Sequence, residues 1–408
     1  MEGDFELMGK IKKLNIFEIQ FLLLFLLCIL RFKIFAASHL FGFLIVLALF
    51  VPLCFSCVRT CFFRKAEIKY FSIYALIALF SWYFSNNLSE NNIFYYLLFY
   101  TLPIFYYSTI QVFLKKITLQ QILYIFNLTI SVFKIYLLVE VVYRYYTSYI
   151  AMISEGLISS FYNFKGNSFY SDTNFLALVI QNFALVCFFL YKKFNDKKYF
   201  RNYVQLMFFA LLTLSRSVVL TQIMLLLFDF YYSKFKKGQF ARFFLLTMIF
   251  SVSIILVFFL LQKDASFRSK IVIFDGLKKI NNFNFENQLF GFGFGNGEFI
   301  YSYRKGDYGH LHIALLLGQE GIIGVVMFVI FLFFSLVSSK GATLRLIVAF
   351  LVSGFSLAFF DTSFYLCLGI VTSINKKIIS DNKKIISEDS TSLFNYFQKN
   401  HSKELNVL

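Results

Sequence analysis

Charge is what this chain has least of. Of its 408 residues only 15% are charged, while 59% are hydrophobic and 21% aromatic. A soluble domain carries about 25% charged residues, so a water-soluble globular fold is excluded. Proline is almost missing: Pro52 and Pro103 are the only two, so long helices meet few breaks. The six cysteines, Cys28, Cys54, Cys57, Cys61, Cys187 and Cys367, all lie in apolar runs or at their inner edges. None falls in an outer segment, so no disulfide framework is implied. Cys57 and Cys61 lack the His or Cys partners that a zinc site needs. The first apolar run follows Lys10, Lys12 and Lys13 and ends in Leu30-Arg31-Phe32-Lys33, with no small-residue cleavage site. It reads as a first transmembrane helix, not a signal peptide.

What is present is a succession of apolar runs, each near the roughly 20 residues that cross a bilayer core as a helix. The chain therefore reads as an all-α polytopic membrane protein. Helices are expected at 15–31, 36–58, 67–86, 92–113, 118–143, 171–191, 202–214, 217–232, 242–261 and 311–338. The run 345–375 is too long for one simple span and is interrupted by Phe360-Asp361-Thr362-Ser363. Two short helices meeting at Asp361 fit it, for about 12 spans in all. The net charge of +17 invites a nucleic-acid reading, but the basic residues sit in short loops between apolar runs, which is a topology signal. With the N-terminus inside, 26 of the 39 basic residues fall on inner segments and 12 on outer ones, and the single segment 262–310 holds 7 of those 12. Long loops obey the rule poorly, so both termini are placed in the cytoplasm. Residues 1–376 form the membrane domain, with sizeable outer loops at about 144–170 and 262–310. Residues 377–408 form a polar cytoplasmic tail. The two loops are too small for independent domains and too long for tight turns, a length at which loops are usually functional or disordered.

Most of the polar outliers map to the outer face. Arg216, in Thr213-Leu214-Ser215-Arg216, sits between two apolar runs. It reads either as a snorkelling anchor or as a guanidinium placed to hold a phosphate through paired hydrogen bonds. Arg268 opens a helical pattern of Ile271, Ile273, Phe274, Leu277 and Ile280, expected as an amphipathic helix on the outer surface. Gly291, Gly293, Gly295 and Gly297 alternate strictly. Their spacing is not the dinucleotide fingerprint; they form either a flexible loop or a run whose amides approach an anion. Arg304 and Lys305 are a further basic pair, read as solvated when taken alone. His310 and His312 precede the span at 311–338, and histidine suits proton transfer near neutral pH. Asn174 begins the sixth span in Ser171-Asp172-Thr173-Asn174, and Asp361 is an ionisable group in the outer half of the membrane, a functional suspect by position. Lys134 and Glu140, in the fifth helix, read as a neighbouring lysine and a helix-end charge.

Several of these segments resemble one family. His310-Leu311, nine residues, then Gly321-Ile322-Ile323-Gly324 is similar to the histidine–glycine motif of O-antigen polymerases and ligases, with Leu311 where that family usually has Asn, Ser or Gln. Thr213-Leu214-Ser215-Arg216 is similar to its Thr-x-Ser-Arg segment. Arg268 precedes the glycine run as the family's loop arginine does, and Ser171-Asp172-Thr173-Asn174 resembles its Pro-Asn segment without the proline. The likeness covers roughly residues 165–375. It implies a GT-C-like glycosyltransferase of the bacterial inner membrane with a periplasmic active site. Its substrate would be an oligosaccharide carried on undecaprenyl pyrophosphate, with neither cofactor nor metal. A polymerase extends the chain on its lipid carrier; a ligase moves it to lipid A-core. Under the resemblance, Arg216 and Arg268 stabilise the leaving pyrophosphate and His310 removes or orients the acceptor proton. Arg304, Lys305, Asn174, Gly293, Gly295 and Asp361 contact substrate. Partners would be membrane lipid and, for a polymerase, a chain-length regulator protein, with no nucleic acid. A transporter of lipid-linked sugar is the reading from another class. It would need ionisable groups along a central path, for which Lys134 and Glu140 are the main candidates.

Overall fold

The computed structural model describes residues 16–29, 107–156, 164, 169, 173–234, 265–293, 297–302, 311–354 and 363–381, and no strand occurs among them. The helices expected at 36–58, 67–86 and 242–261, most of 92–113 and the tail beyond 381 lie outside the described residues. Helices α1 (Ile16–Ile29), α2 (107–116), α3 (Leu119–Glu155), α4 (Thr173–Phe194), α5 (Lys197–Leu212) and α6 (Arg216–Lys234) come first in the chain. A second group follows: α7 (Ala265–Gly276), a 3-10 turn (Leu277–Asn282), α8 (Phe285–Phe290) and α9 (Gly297–Ile300). The chain then continues into α10 (His312–Ser338), α11 (Leu344–Ser353) and α12 (363–381). Most of α3, together with α4 and α10, is long and apolar enough to cross a membrane. The exposed faces of α3 and α10 are themselves apolar, with Ile135, Val142, Val329 and Phe333 all more than half exposed. Such a surface suits lipid, not water.

The central element is α4, buried on nearly every side. Phe183 stacks on Phe25 of α1 at 4.7 Å and meets Phe133 of α3 edge-on at 5.6 Å. On another side, Phe350 of α11 stacks on Phe364 of α12 at 3.8 Å, and Phe331 of α10 packs against Tyr107 and Tyr365. Aromatic pairs of this kind contribute about 0.5–1.5 kcal/mol each beyond the area they bury.

Helix α3 begins with a capping box. The Thr118 hydroxyl accepts from the Gln121 amide, and the Gln121 side chain accepts from the Thr118 amide. The helix does not end near 143, as the charge pattern suggested, but continues through Arg144 for 37 residues. No glycine or proline interrupts it before Gly156, whose φ of 92° ends it. The expected outer loop at 144–170 therefore starts as helix. At 1.5 Å per residue α3 is about 55 Å long, well beyond a hydrocarbon core of roughly 30 Å.

Helices α3 and α5 run side by side in the same direction, tied by polar rungs at three levels. Asn127 donates to Tyr199 Oη (3.3 Å), Lys134 Nζ donates to Asn202 Oδ1 and Gln205 Oε1 (3.0 and 2.9 Å), and Arg144 Nη1 donates to the Leu212 carbonyl (3.5 Å). The rising residue numbers on both helices fix the parallel sense. Tight turns join α4 to α5 and α5 to α6, so the starts of α4 and α6 share one end of the bundle with the Arg144 rung.

The interrupted run 345–375 is two helices. Helix α11 ends at Ser353 with Gly354 as its cap, and α12 begins at 363. Asp361 lies outside the described residues. Helix α12 runs on to 381, past the point where the polar tail was expected to begin.

Candidate functional site

The Thr-x-Ser-Arg segment is the α5–α6 turn. The Thr213 hydroxyl donates to the Ala210 carbonyl (2.6 Å) and accepts from the Ser215 amide (3.2 Å), so the turn satisfies its own polar groups. Leu214 takes a left-handed φ of 56° to close it, a conformation costing an L-residue about 1–2 kcal/mol. Thr213 and Ser215 are buried and Arg216, the first residue of α6, is exposed.

From this turn a polar ladder descends into the bundle. Thr221 Oγ1 donates to the Ser217 carbonyl and lies 3.3 Å from Ser353 Oγ, which accepts from Gln181 Nε2 at 3.0 Å. The next residue of α4, Asn182, donates to Ser363 Oγ at 2.9 Å. Adjacent amides of α4 thus hold the end of α11 and the start of α12. The Gly354 carbonyl accepts from the His312 amide (3.0 Å), which brings the start of α10 to the same place. The buried His312 ring lies between Phe328 and Phe350. Arg216, half-buried Asn174 in the first turn of α4, and the His312 backbone therefore share one end of the bundle. His310, Arg304, Lys305, Gly295 and Asp361 lie outside the described residues, and of Arg268 only the backbone, in α7, is described.

The outer segment expected as a loop at 262–310 contains a small folded cap. Ile273, Tyr301, Leu311 and Ala314 form its core, with Leu277, Phe283, Ile300 and Leu317 against it. Burial pushes the Tyr301 phenol up to about 12, so it stays protonated at neutral pH. Of the apolar face expected on α7 only Ile273 is fully buried; Phe274 is exposed. One turn of a short helix meets one neighbour here, and positions 273 and 274 point about 100° apart.

The glycines have a structural explanation. Gly321, inside α10, has φ 69° and ψ −165° and breaks the helix. A break frees carbonyls of the preceding turn. The Phe292 amide takes the Gly318 carbonyl (2.7 Å) and the Gly293 amide takes that of Gln319 (3.1 Å). A Cβ at Gly291 would lie 2.6 Å from the Gln319 backbone, and Gly297 and Gly318 abut each other backbone to backbone. The amide of Gly293, read as part of either a flexible loop or an anion-facing run, is bonded to the Gln319 carbonyl inside the protein. Gly291, Gly293 and Gly297 on the cap and Gly318, Gln319 and Gly321 on α10 are two halves of one interlocked contact.

Other polar residues emerge that sequence reasoning passed over. Glu320 and Gln319 are fully buried beside the kink, with the Glu320 side chain folded over Gly324. Glu140, read as a helix-end charge, is wholly buried and pairs with Arg144 at 2.6 Å. The i, i+4 spacing of Glu140 and Arg144 and the adjacent amides Gln181-Asn182 within an apolar run were the available signals. Among the described residues no group of three His, Cys, Asp or Glu side chains gathers as a metal site. Comparison with protein-family models, curated proteins and solved structures finds no match to this chain.

Proposed function

We propose that this chain is a metal-independent glycosyltransferase of GT-C-like architecture with about 12 spans. It would join undecaprenyl-pyrophosphate-linked repeat units at the periplasmic face of a bacterial inner membrane. The observation that carries the reading is the α5–α6 turn: exposed Arg216 opens α6 on a turn whose own polar groups are already satisfied, at the end of the bundle where α4, α10, α11 and α12 meet. A guanidinium so placed suits a phosphate.

The chemistry asks little more of the protein. The acceptor hydroxyl attacks the anomeric carbon, the bond from that carbon to the phosphate oxygen breaks, and the pyrophosphate departs with the electron pair. Stabilising its charge is the main task, which falls to Arg216 and Arg268, with Arg304 and Lys305 as further cations. His310 takes or orients the hydroxyl proton. Asn174 and Asp361 orient the sugar. Gly293 contributes by holding the cap, since its amide is already bonded.

Arg216→Ala and His310→Ala are each expected to abolish glycan extension at unchanged protein level. Near-normal chain length in both variants would remove the catalytic assignment. The lipopolysaccharide ladder of a deletion strain separates the classes. A single repeat on core supports polymerase; bare core with polymer kept on its carrier means ligase. Unchanged ladders with repeat units trapped inside mean transport.

A further inference from the structure

Arg144 is the largest fully buried side chain among the described residues. Its guanidinium is fixed on three sides. Nε pairs with Glu140 Oε1 at 2.6 Å, Cζ lies over the Phe164 ring at 4.6 Å from its centroid, and Nη1 donates to the Leu212 carbonyl at 3.5 Å. Tyr145 packs edge-on against that same Phe164 ring at 4.9 Å. Leu212 is the last residue of α5, where helix carbonyls lack intrahelical partners. It stands one residue before the Thr213–Ser215 turn and four before Arg216.

Two roles are open to such a group. It could receive an anion, or it could hold the turn. The paired Glu140 carboxylate, equally buried, decides between them. It neutralises the guanidinium at contact distance, and a buried neutral pair attracts an anion far less than a lone cation does. The length of the helix adds to this, since Arg144 belongs to a span anchored by the Asn127–Tyr199 and Lys134–Asn202 rungs. A contact from so fixed a helix to the last carbonyl of α5 sets where the turn sits.

We propose that Arg144, held by Glu140, is a positioning residue. It clamps the end of α5 so that the left-handed turn at Leu214 closes and Arg216 leaves at a fixed height and direction. The consequence for activity rests on the glycosyltransferase reading; the clamp itself does not.

Hydrogen exchange of the full-length protein in detergent tests the clamp without any glycan assay. Arg144→Gln is expected to raise exchange of the peptide covering 210–218 about tenfold, with the 178–186 segment of α4 unchanged. Unchanged exchange at 210–218 would overturn the proposal. Because Arg144→Gln leaves Glu140 buried without its cation, the double variant Glu140→Gln/Arg144→Gln is measured beside it. It removes both charges and is expected to give the same local acceleration in a folded protein. Chain extension provides the readout that a purely structural role would not move. Arg144→Lys, which keeps a cation and a donor beside the Leu212 carbonyl, is expected to restore part of the extension that Arg144→Gln loses, with slow exchange at 210–218 restored in step. Restored extension without restored exchange, or no rescue of either, would overturn the assignment. Loss of activity in Arg216→Ala with no change at 210–218 in Arg144→Gln would defeat the clamp alone and leave the catalytic reading standing.

Discussion

At Gly321 a single methyl group would meet the Leu289 carbonyl and lie 2.6 Å from the Gly291 nitrogen. Its φ of 69° with ψ of −165° belongs to a region that is essentially glycine's alone. Gly341, in the turn between α10 and α11, also has a positive φ, of 81°, but a Cβ there meets nothing within 4 Å. The pair separates backbone strain from steric exclusion. Gly341→Ala should destabilise by about 1–2 kcal/mol, the conformational term. Gly321→Ala should lose at least twice that, because the cap must also retreat from α10. Thermal unfolding of the two variants in the same detergent measures the difference, and equal losses would mean that the cap does not lock against this helix. The spacing of Gly321 and Gly324 was visible in the sequence, and so was the alternation from Gly291 to Gly297. That the two runs grip each other was not, because the contact joins backbones that are distant in sequence, from Gly297 with Gly318 to Leu289 with Gly321, and leaves no side-chain signature.

For whole elements, hydrophobic runs located several of the described helices within a few residues, with α10 expected at 311–338 and found at His312–Ser338. They missed where a charge is internal. Arg144 looked like the first residue of a loop, since arginine at an outer helix end signals exposure. Its i, i+4 spacing to Glu140 was legible, but its partners Phe164 and Leu212 become visible only in the folded chain. Helices α11 and α12 flank the interruption near Asp361, which itself lies outside the described residues, and nothing in the run hinted that Gln181 and Asn182 would hold both flanks. A cap, by contrast, is local and can be tested locally. Thr118→Ala removes the hydroxyl that accepts the Gln121 amide, a loss of about 1 kcal/mol for an N-cap of this type. Because α3 is 37 residues long and is held at its far end by the Arg144 rung, fraying should stay within its first turn. Exchange should quicken at 119–122 and not at 140–146. Acceleration along the whole helix would show that the cap, not the packing, carries α3.

Across the molecule, the parallel rungs between α3 and α5 fix one axis for the candidate site. Tyr199 sits at the level of Asn127 and Leu212 at the level of Arg144, so the α4–α5 turn and the α5–α6 turn lie at opposite ends of α5. The first carries Lys192, Lys193, Lys197 and Lys198, and the second carries only Arg216. Positive charge collects on the cytoplasmic side of membrane proteins, so the same bias that orients the chain predicts Arg216 on the outer side. The geometry turns this into a measurement with two exposed positions. Leu214 is 45% exposed and Lys197 is exposed at the start of α5. A membrane-impermeant thiol reagent added to cells with a permeabilised outer membrane and an intact inner one should modify Leu214→Cys above the background of the native cysteines. Lys197→Cys should react only after the inner membrane is opened. The opposite pattern would invert the bundle and put Arg216 on the cytoplasmic side. A glycosyltransferase acting at the outer face would then be untenable even if every contact described for the turn were correct.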